Sequence, residues 1–254
     1  MSLFDLKGKT ALVTGGNGGI GLGMARGLAR AGAAIVVAAR NAQKSAAAVK
    51  ELEALGASAL AVEADVLKEA SCRALIEQSV KRLGRLDILV NNAGIAVRKP
   101  PQDYSLEEWH RVLDANLTGA FVCSQAAYPH LVRAGGGKII NIGSMLSIFG
   151  APFAVAYAAS KGGIVQMTKA LATAWAKDNI QVNALLPGWI DTDLTASARE
   201  QVPGLNENVL KRTPAGRWGK PADFEAIAVF LAGAGSAFVT GTAIPVDGGY
   251  SVQV

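Results

Sequence analysis

Thr10-Ala-Leu-Val-Thr14-Gly15-Gly16-Asn17-Gly18-Gly19-Ile20-Gly21 reads as a short apolar strand, a glycine turn and the start of a helix that runs to about Ala31. Gly15 permits a tight turn, Gly19 lets the backbone approach a pyrophosphate, and Gly21 lets the helix pack closely. The helix N-terminus beyond the turn offers free N–H groups and a partial positive charge. Gly15, Asn17, Gly18, Gly19, Ile20 and Gly21 are therefore the candidate phosphate cradle of a dinucleotide site. The spacing is Gly-x-x-x-Gly-x-Gly, not the commoner Gly-x-Gly-x-x-Gly.

Outward from this turn the pattern alternates. Further strands are expected at Ala34 to Ala38, Ala59 to Glu63, Leu86 to Val90, Lys138 to Ile142, Gln181 to Leu186 and Ala243 to Val246, with helical stretches in between. Pro245 marks the last strand as an edge or a strand end. Such alternation predicts an α/β fold, a doubly wound parallel sheet with helices on both faces. No linker divides the chain, so residues 1–254 are expected to form one domain. Residues 188–220, with Pro203 and Pro214, form the longest irregular stretch. A segment of that length predicts a substrate lid with a short helix near Thr195 to Gln201.

The end of the second strand bears on the cofactor. An NAD site places a carboxylate there for the ribose 2′-OH. This chain has Ala39-Arg40-Asn41, and arginine suits a 2′-phosphate through charge and paired donors. NADP is expected, with NAD left open. Asp65-Val66, after the third strand, is placed to meet the adenine end. Asn91, Ala93 and Gly94, after the fourth, allow close approach to the cofactor ribose.

A second constellation follows the fifth strand. Ser144 ends it, and Tyr157 and Lys161 stand four apart in a proline-free run. On a helix that spacing puts both on one face. A free phenol titrates near pH 10, and an adjacent ammonium is expected to lower that value. Such a pair passes a proton to or from a reacting oxygen, which the Ser144 hydroxyl can also bind. Alone, Tyr-x-x-x-Lys is an ordinary surface pair, and its context must carry the reading.

Bulk properties exclude several classes. The net charge is +5 over 254 residues, but no basic run exceeds two neighbours. That describes a solvated surface, not a nucleic-acid stripe. Cys72 and Cys123 offer no metal-ligand spacing, and no metal is expected. His110 and His130 read as surface or packing residues. No leader-like or membrane-length apolar run is seen, so a cytoplasmic protein is expected.

Taken in order, Thr14-Gly15-x-x-x-Gly19-Ile20-Gly21, Asn91-Asn92-Ala93-Gly94, Asn116 in Ala-Asn-Leu-Thr-Gly, Ser144, Tyr157-x-x-x-Lys161 and Pro187-Gly188 resemble the short-chain dehydrogenase/reductase family over essentially the whole chain. The resemblance implies strand order 3-2-1-4-5-6-7, hydride transfer between a nicotinamide and a ketone or secondary alcohol, and a homotetramer. It implies a catalytic tetrad of Asn116, Ser144, Tyr157 and Lys161, with Asn116 holding a water that links Lys161 to solvent. Tyr157 and Lys161 would also touch the cofactor. Pro187, Gly188, Ile190 and the lid residue Thr192 would face its nicotinamide end. Many NADP-using members carry a basic residue where this chain has Gly18.

The segments Asn92 to Pro100 and Gly143 to Ser147 are similar to sugar-acid dehydrogenases of the gluconate and deoxygluconate type. Arg98 is then a candidate for a substrate carboxylate at the pocket mouth. Met145, Leu146, Phe149, Phe153, Trp189 and Leu194 predict a largely apolar pocket, which suits a hydrophobic or cyclic ketone equally well. A sugar epimerase on the same fold is a further alternative, but those resemble longer chains with an added substrate region; a non-catalytic cofactor-binding protein is the other. It would be expected to lose Tyr157 or Lys161, and both are present.

Overall fold

The structure is a computed structural model that describes residues 3–253. The chain runs β1 (Thr10–Thr14), α1 (Gly19–Arg30), β2 (Ala34–Ala39), α2 (Ala42–Ala54), β3 (Ala59–Glu63), α3 (Glu69–Leu83), β4 (Ile88–Asn91), α4 (Leu106–Leu113), α5 (Gly119–Arg133), β5 (Gly137–Ile142), α6 (Val155–Trp175), β6 (Ile180–Pro187), α7 (Asp193–Gln201), α8 (Leu205–Arg212), α9 (Glu225–Ala232) and β7 (Ala243–Val246). All strand pairings are parallel, in the order β3-β2-β1-β4-β5-β6-β7.

The strand alternation sorts the core into two layers. Ala11, Val13, Ile35, Val37, Ile88 and Val90 face one side, where Met24 and Leu28 of α1 and Leu231 of α9 cover them. Leu12, Val36, Leu89, Ile139 and Val182 face the other, against Ile76 of α3, Leu131 of α5 and Leu171 of α6. Side chains of period two on a sheet covered on both sides leave few strand positions for solvent. β1, β4 and β6 are buried along their whole length. Pro245 lies on β7, an edge strand paired only with β6, where a missing N–H is tolerated.

Local signals set the helix ends. Asn41 Oδ1 accepts from Lys44 N at 2.9 Å and caps α2. Ser105 and Glu108 form a capping box at α4. Between α4 and α5 the chain makes a π-helical turn, Asp114–Thr118. Such turns recur at functional sites, and this one carries Asn116.

The 188–220 segment carries the short helix expected near Thr195 to Gln201, here α7, but is less irregular than expected. It holds two helices, α7 and α8, around a small core of Ala198, Leu205 and Val209 packed against Trp189, Val202 and Trp218. Its ends meet where Gly219 N donates to Trp189 O at 2.9 Å and Asp191 N to Gly219 O at 2.9 Å. Each helix is only two to three turns long, interrupted at Pro203-Gly204. Helices this short draw their stability from tertiary packing, so periodicity in the sequence reveals α8 poorly.

The topology also locates the site. β2 lies on one side of β1 and β4 on the other. The chain reverses direction across the sheet at this pair, and a crevice opens beyond its C-terminal ends.

Candidate active site

The glycine turn fills that crevice. Gly15 and Gly19 have positive φ, +63° and +50°. A Cβ on Gly21 would stand 2.4 Å from Asn92 Nδ2 and 2.4 Å from Gly15 O, so Gly21 packs on the turn itself. Asn92 braces this arrangement: its Nδ2 donates to Thr14 O at 2.9 Å and to Gly15 O at 3.1 Å. Thr14 Oγ1 accepts from the Asn92 and Ala93 amides at 3.0 and 3.1 Å. The neighbouring Asn91 behaves differently from expectation. Its Nδ2 donates to Ser124 Oγ and Asn141 Oδ1 inside the protein. As the last residue of β4, Asn91 points its side chain into the core, and Asn92 stands at the groove.

Beyond the turn, a groove of about 630 Å³ runs past Arg40, Asn41, Asp65 and Val66. A second stretch of about 300 Å³ is lined by Gly18, Gly19, Ile20, Pro187, Gly188, Ile190 and Thr192, and by Ser144, Tyr157 and Lys161. Gly15, Asn17, Lys44, Ala93 and Gly94 line both stretches, so the groove is continuous. A Cβ on Gly18 would meet nothing within 4 Å, so this side of the turn is open space. No side chain caps α1, which leaves its first N–H groups for an anion. An elongated dinucleotide fits this cradle.

Two basic residues at the groove have no counterpart in the sequence reading. Lys44 sits on the first turn of α2, and its Nζ lies 2.9 Å from Asp193 Oδ2 on α7. The ion pair ties the nucleotide side to the lid across the groove. Arg111, from α4, lines the same stretch as Asp65 and Val66. The position of Lys44, four after Arg40, is a usable signal; for Arg111 no local signal exists.

The second constellation assembles on β5 and α6. Lys161 is buried, 4% exposed, and its Nζ donates to Ile142 O at 2.6 Å. Burial lowers its pKa to about 8. The ammonium lies 5.6 Å from the centroid of the Tyr157 ring. Ser144, at the end of β5, hydrogen-bonds Tyr157. Ser147 Oγ donates to Lys161 O at 2.7 Å and pins the turn after β5 to α6. The electrostatics correct the sequence expectation. Burial raises the Tyr157 pKa above its ordinary value; the Ser144 hydrogen bond and the positive charge of Arg98 oppose it without prevailing. Lys161 does not lower it here: with its own pKa brought down to about 8, it is uncharged by the pH at which this phenol ionises.

Asn116 adjoins this pair: a Cβ on Gly94 would stand 3.0 Å from Asn116 Oδ1 and 3.7 Å from Lys161 Nζ. Its Nδ2 donates to Ile95 O and Ser160 Oγ, both at 3.0 Å, and its Oδ1 accepts from Ile95 N at 2.8 Å. Both amide hydrogens are thus used within the protein. The side chain braces the loop after β4 against α6.

Tyr157 and Ser144 also line a pocket of about 330 Å³. Met145, Leu146, Phe149, Phe153, Trp189 and Leu194 all contribute to it, together with Asn208, Arg212 and Tyr250 from outside the expected set. Arg98 is half-buried, its Nη2 donates to Leu194 O at 3.1 Å, and its charge acts on Tyr157. It stands beside the phenol and not at the mouth. His130 Nε2 pairs with Glu77 Oε1 at 3.0 Å, between α5 and α3. Among the described residues no group of His, Cys, Asp or Glu gathers to hold a metal.

Residues 15–251 match the family model described as Enoyl-(Acyl carrier protein) reductase. The chain is 43% identical over 251 residues to the 2-dehydro-3-deoxy-D-gluconate 5-dehydrogenase of Escherichia coli (strain K12), covering 98% of each. It is 39% identical over 254 residues to the gluconate 5-dehydrogenase of Gluconobacter oxydans (strain 621H), covering 99% of this chain and 98% of the other. Among solved structures it resembles a gluconate 5-dehydrogenase from Burkholderia cenocepacia J2315 in complex with NADP and tartrate. There the TM-score is 0.93 and the identity 43%, over 99% of this chain and 98% of that one.

Proposed function

This chain belongs to the short-chain dehydrogenase/reductase family, and from that premise we propose that it is a cytoplasmic NADP(H)-dependent oxidoreductase. Its substrate pair is the ketone and secondary alcohol of a sugar acid, of the gluconate and 5-ketogluconate type. The observation that carries the reading is the position of Tyr157 and Ser144. Both line the dinucleotide groove and the adjoining pocket, so an oxygen held by them lies where the two cavities meet. The substrate class is supported by near full-length similarity to sugar-acid dehydrogenases.

The bound nicotinamide supplies or accepts the hydride, and the protein's part is placement and the proton. Ser144 holds the substrate oxygen. Tyr157 gives its proton to that oxygen in reduction and takes it back in oxidation. A raised phenol pKa suits donation; Ser144 and Arg98 support the phenolate in the reverse direction. Lys161, with its pKa brought down to about 8, is the adjacent group that exchanges a proton near neutrality. Asn116 acts as a brace that keeps Lys161 and the loop after β4 in register. Gly15 to Gly21 cradle the pyrophosphate and Arg40, with Lys44 beside it, meets the 2′-phosphate. Asn41, Asp65 and Val66 bound the adenine end, Ala93 and Gly94 the ribose. Pro187, Gly188, Ile190 and Thr192 bound the nicotinamide end. The 188–220 segment is the lid of this single domain. Exposed Phe121 and Val132 on α5 support a homotetramer, which light scattering tests.

The deciding experiment follows NADPH consumption over a panel of keto-sugar acids, neutral keto-sugars and cyclic diketones. The reading expects the highest kcat/KM with a keto-sugar acid. The apolar lining of the pocket favours cyclic ketones as the second reading, and a preference for the diketones would replace the first with it.

A further inference from the structure

Arg212 closes α8 and stands at the opposite end of the substrate pocket from Tyr157. The cavities that adjoin the pocket define its two ends. Ser144, Tyr157 and Gly188 are shared with the dinucleotide groove. Trp189, Leu205, Asn208, Arg212 and Tyr250 are shared with an outer cavity of about 580 Å³. The Arg212 guanidinium carbon lies 4.5 Å from the centroid of the Tyr250 ring and 5.1 Å from that of Phe149. The two rings meet edge to face, 6.5 Å apart.

Two aromatic faces hold a guanidinium through its charge but offer it no hydrogen-bond acceptor. Among the described residues no carboxylate pairs with Arg212. Arg199, which also stacks on a ring, differs: it has Asp191 as a carboxylate partner. Arg212 is therefore positioned by the rings, with its donor edge unclaimed among the described residues, on a pocket wall that is otherwise mostly apolar. A planar fork of donors matches a carboxylate in two parallel hydrogen bonds.

Arg98 does not compete for this role. It lies at the reacting end, tied to the Leu194 carbonyl and acting on the Tyr157 phenol. In a 5-keto sugar acid the carboxylate stands at the other end of the carbon chain from the carbonyl. With the carbonyl oxygen on Ser144 and Tyr157, a carbon chain that extends away from the groove brings that carboxylate toward α8. We propose that Arg212, held between Phe149 and Tyr250, binds the substrate carboxylate and selects acids over neutral sugars. The proposal rests on the sugar-acid reading above and names the residue that recognises the acid.

A remote carboxylate does not change during the reaction, so its contact contributes equally to the ground and transition states. Removing it raises KM and leaves kcat in place. The test compares wild type, Arg212→Met and Arg212→Lys with 5-ketogluconate and with the neutral keto-sugar in which a hydroxymethyl group replaces the carboxylate. Arg212→Met is expected to raise KM for the acid by roughly 10- to 100-fold, with kcat within about twofold. KM for the neutral sugar stays unchanged, and Arg212→Lys recovers part of the loss for the acid alone. The assignment is overturned if Arg212→Met leaves KM for the acid unchanged, or raises both KM values equally. Failure of the underlying reading is distinguishable, because it is seen in the wild type: the neutral sugar or an unrelated ketone would be turned over more efficiently than the acid, and both proposals would go.

Discussion

The nucleotide side of the groove, from Gly15 to Arg40, and the lid side, from Gly188 to Lys220, face each other but are built differently. On the nucleotide side, consecutive residues do the work. A strand, a turn with two positive-φ glycines and an uncapped helix start follow within a dozen positions. On the lid side, two short helices stand because Trp189 and Trp218 meet over Ala198, Leu205 and Val209. Among the described residues its ion pair to the nucleotide side, Lys44 to Asp193, is exposed, and Thr192 approaches the turn at Gly19. The comparison teaches that a backbone-shaped site is rigid by local sterics, whereas a lid is a tertiary product with weak attachments, as a segment that must move requires.

Substitutions at the meeting line of the two sides should have the largest effect. Tyr157→Phe is expected to bind NADPH as wild type but to lose at least about a hundredfold in kcat, the usual contribution of a positioned acid. Single-turnover kinetics beside fluorescence titration of NADPH separate the two; retained turnover would remove Tyr157 from its role.

Lys161 sharpens the contrast between stability and activity. Its folded pKa, about 8, lies below the ordinary 10.5, so between those values the unfolded chain binds more protons and stability rises with pH. Below about pH 8 the buried charge carries its full cost, on the order of 3 kcal/mol. Lys161→Met should therefore lose activity yet melt higher than wild type at pH 7, with the advantage shrinking toward pH 10. Thermal melts across that range check it; a constant or growing advantage would contradict the burial argument.

On the nucleotide side alone, Arg40→Ala should weaken NADPH by roughly tenfold or more, the scale of a lost charge-assisted contact, while NADH changes little. Equal losses for both cofactors would sink the 2′-phosphate assignment. The smallest effect belongs to the lid tie. Asp193→Asn removes an exposed ion pair worth less than about 1 kcal/mol, so melting should barely move. Stopped-flow NADPH binding should become faster by a few-fold at low salt, with the difference fading at high salt. An unchanged rate would mean that the pair does not gate the groove.

Much of the site was legible because its signals are local. The turn glycines, the spacing of Tyr157 and Lys161, and Ser144 at a strand end follow from backbone sterics and helical period. Asn91 and Asn92 show the limit. Adjacent in sequence and identical in type, they point to opposite sides of a strand end, and only the register of β4 against β1 and β5 decides which one braces the turn. The direction of the Tyr157 pKa shift was likewise not readable. It depends on the burial of both the phenol and Lys161, which is set by packing between α6, β5 and the loop carrying Arg98.

By itself the sequence determined the doubly wound sheet, the glycine turn after β1 and the candidate residues Ser144, Tyr157 and Lys161 that the structure gathers at one cavity. These rest on alternation, turn sterics and helical spacing, which act between near neighbours. Only the tertiary structure decided that Arg98 belongs beside the phenol, that Lys44 and Arg111 reach the groove, and that Arg212 waits between two rings at the far end of the pocket. Those placements depend on side chains from distant elements being brought together by a shared core, and no local pattern encodes such a meeting.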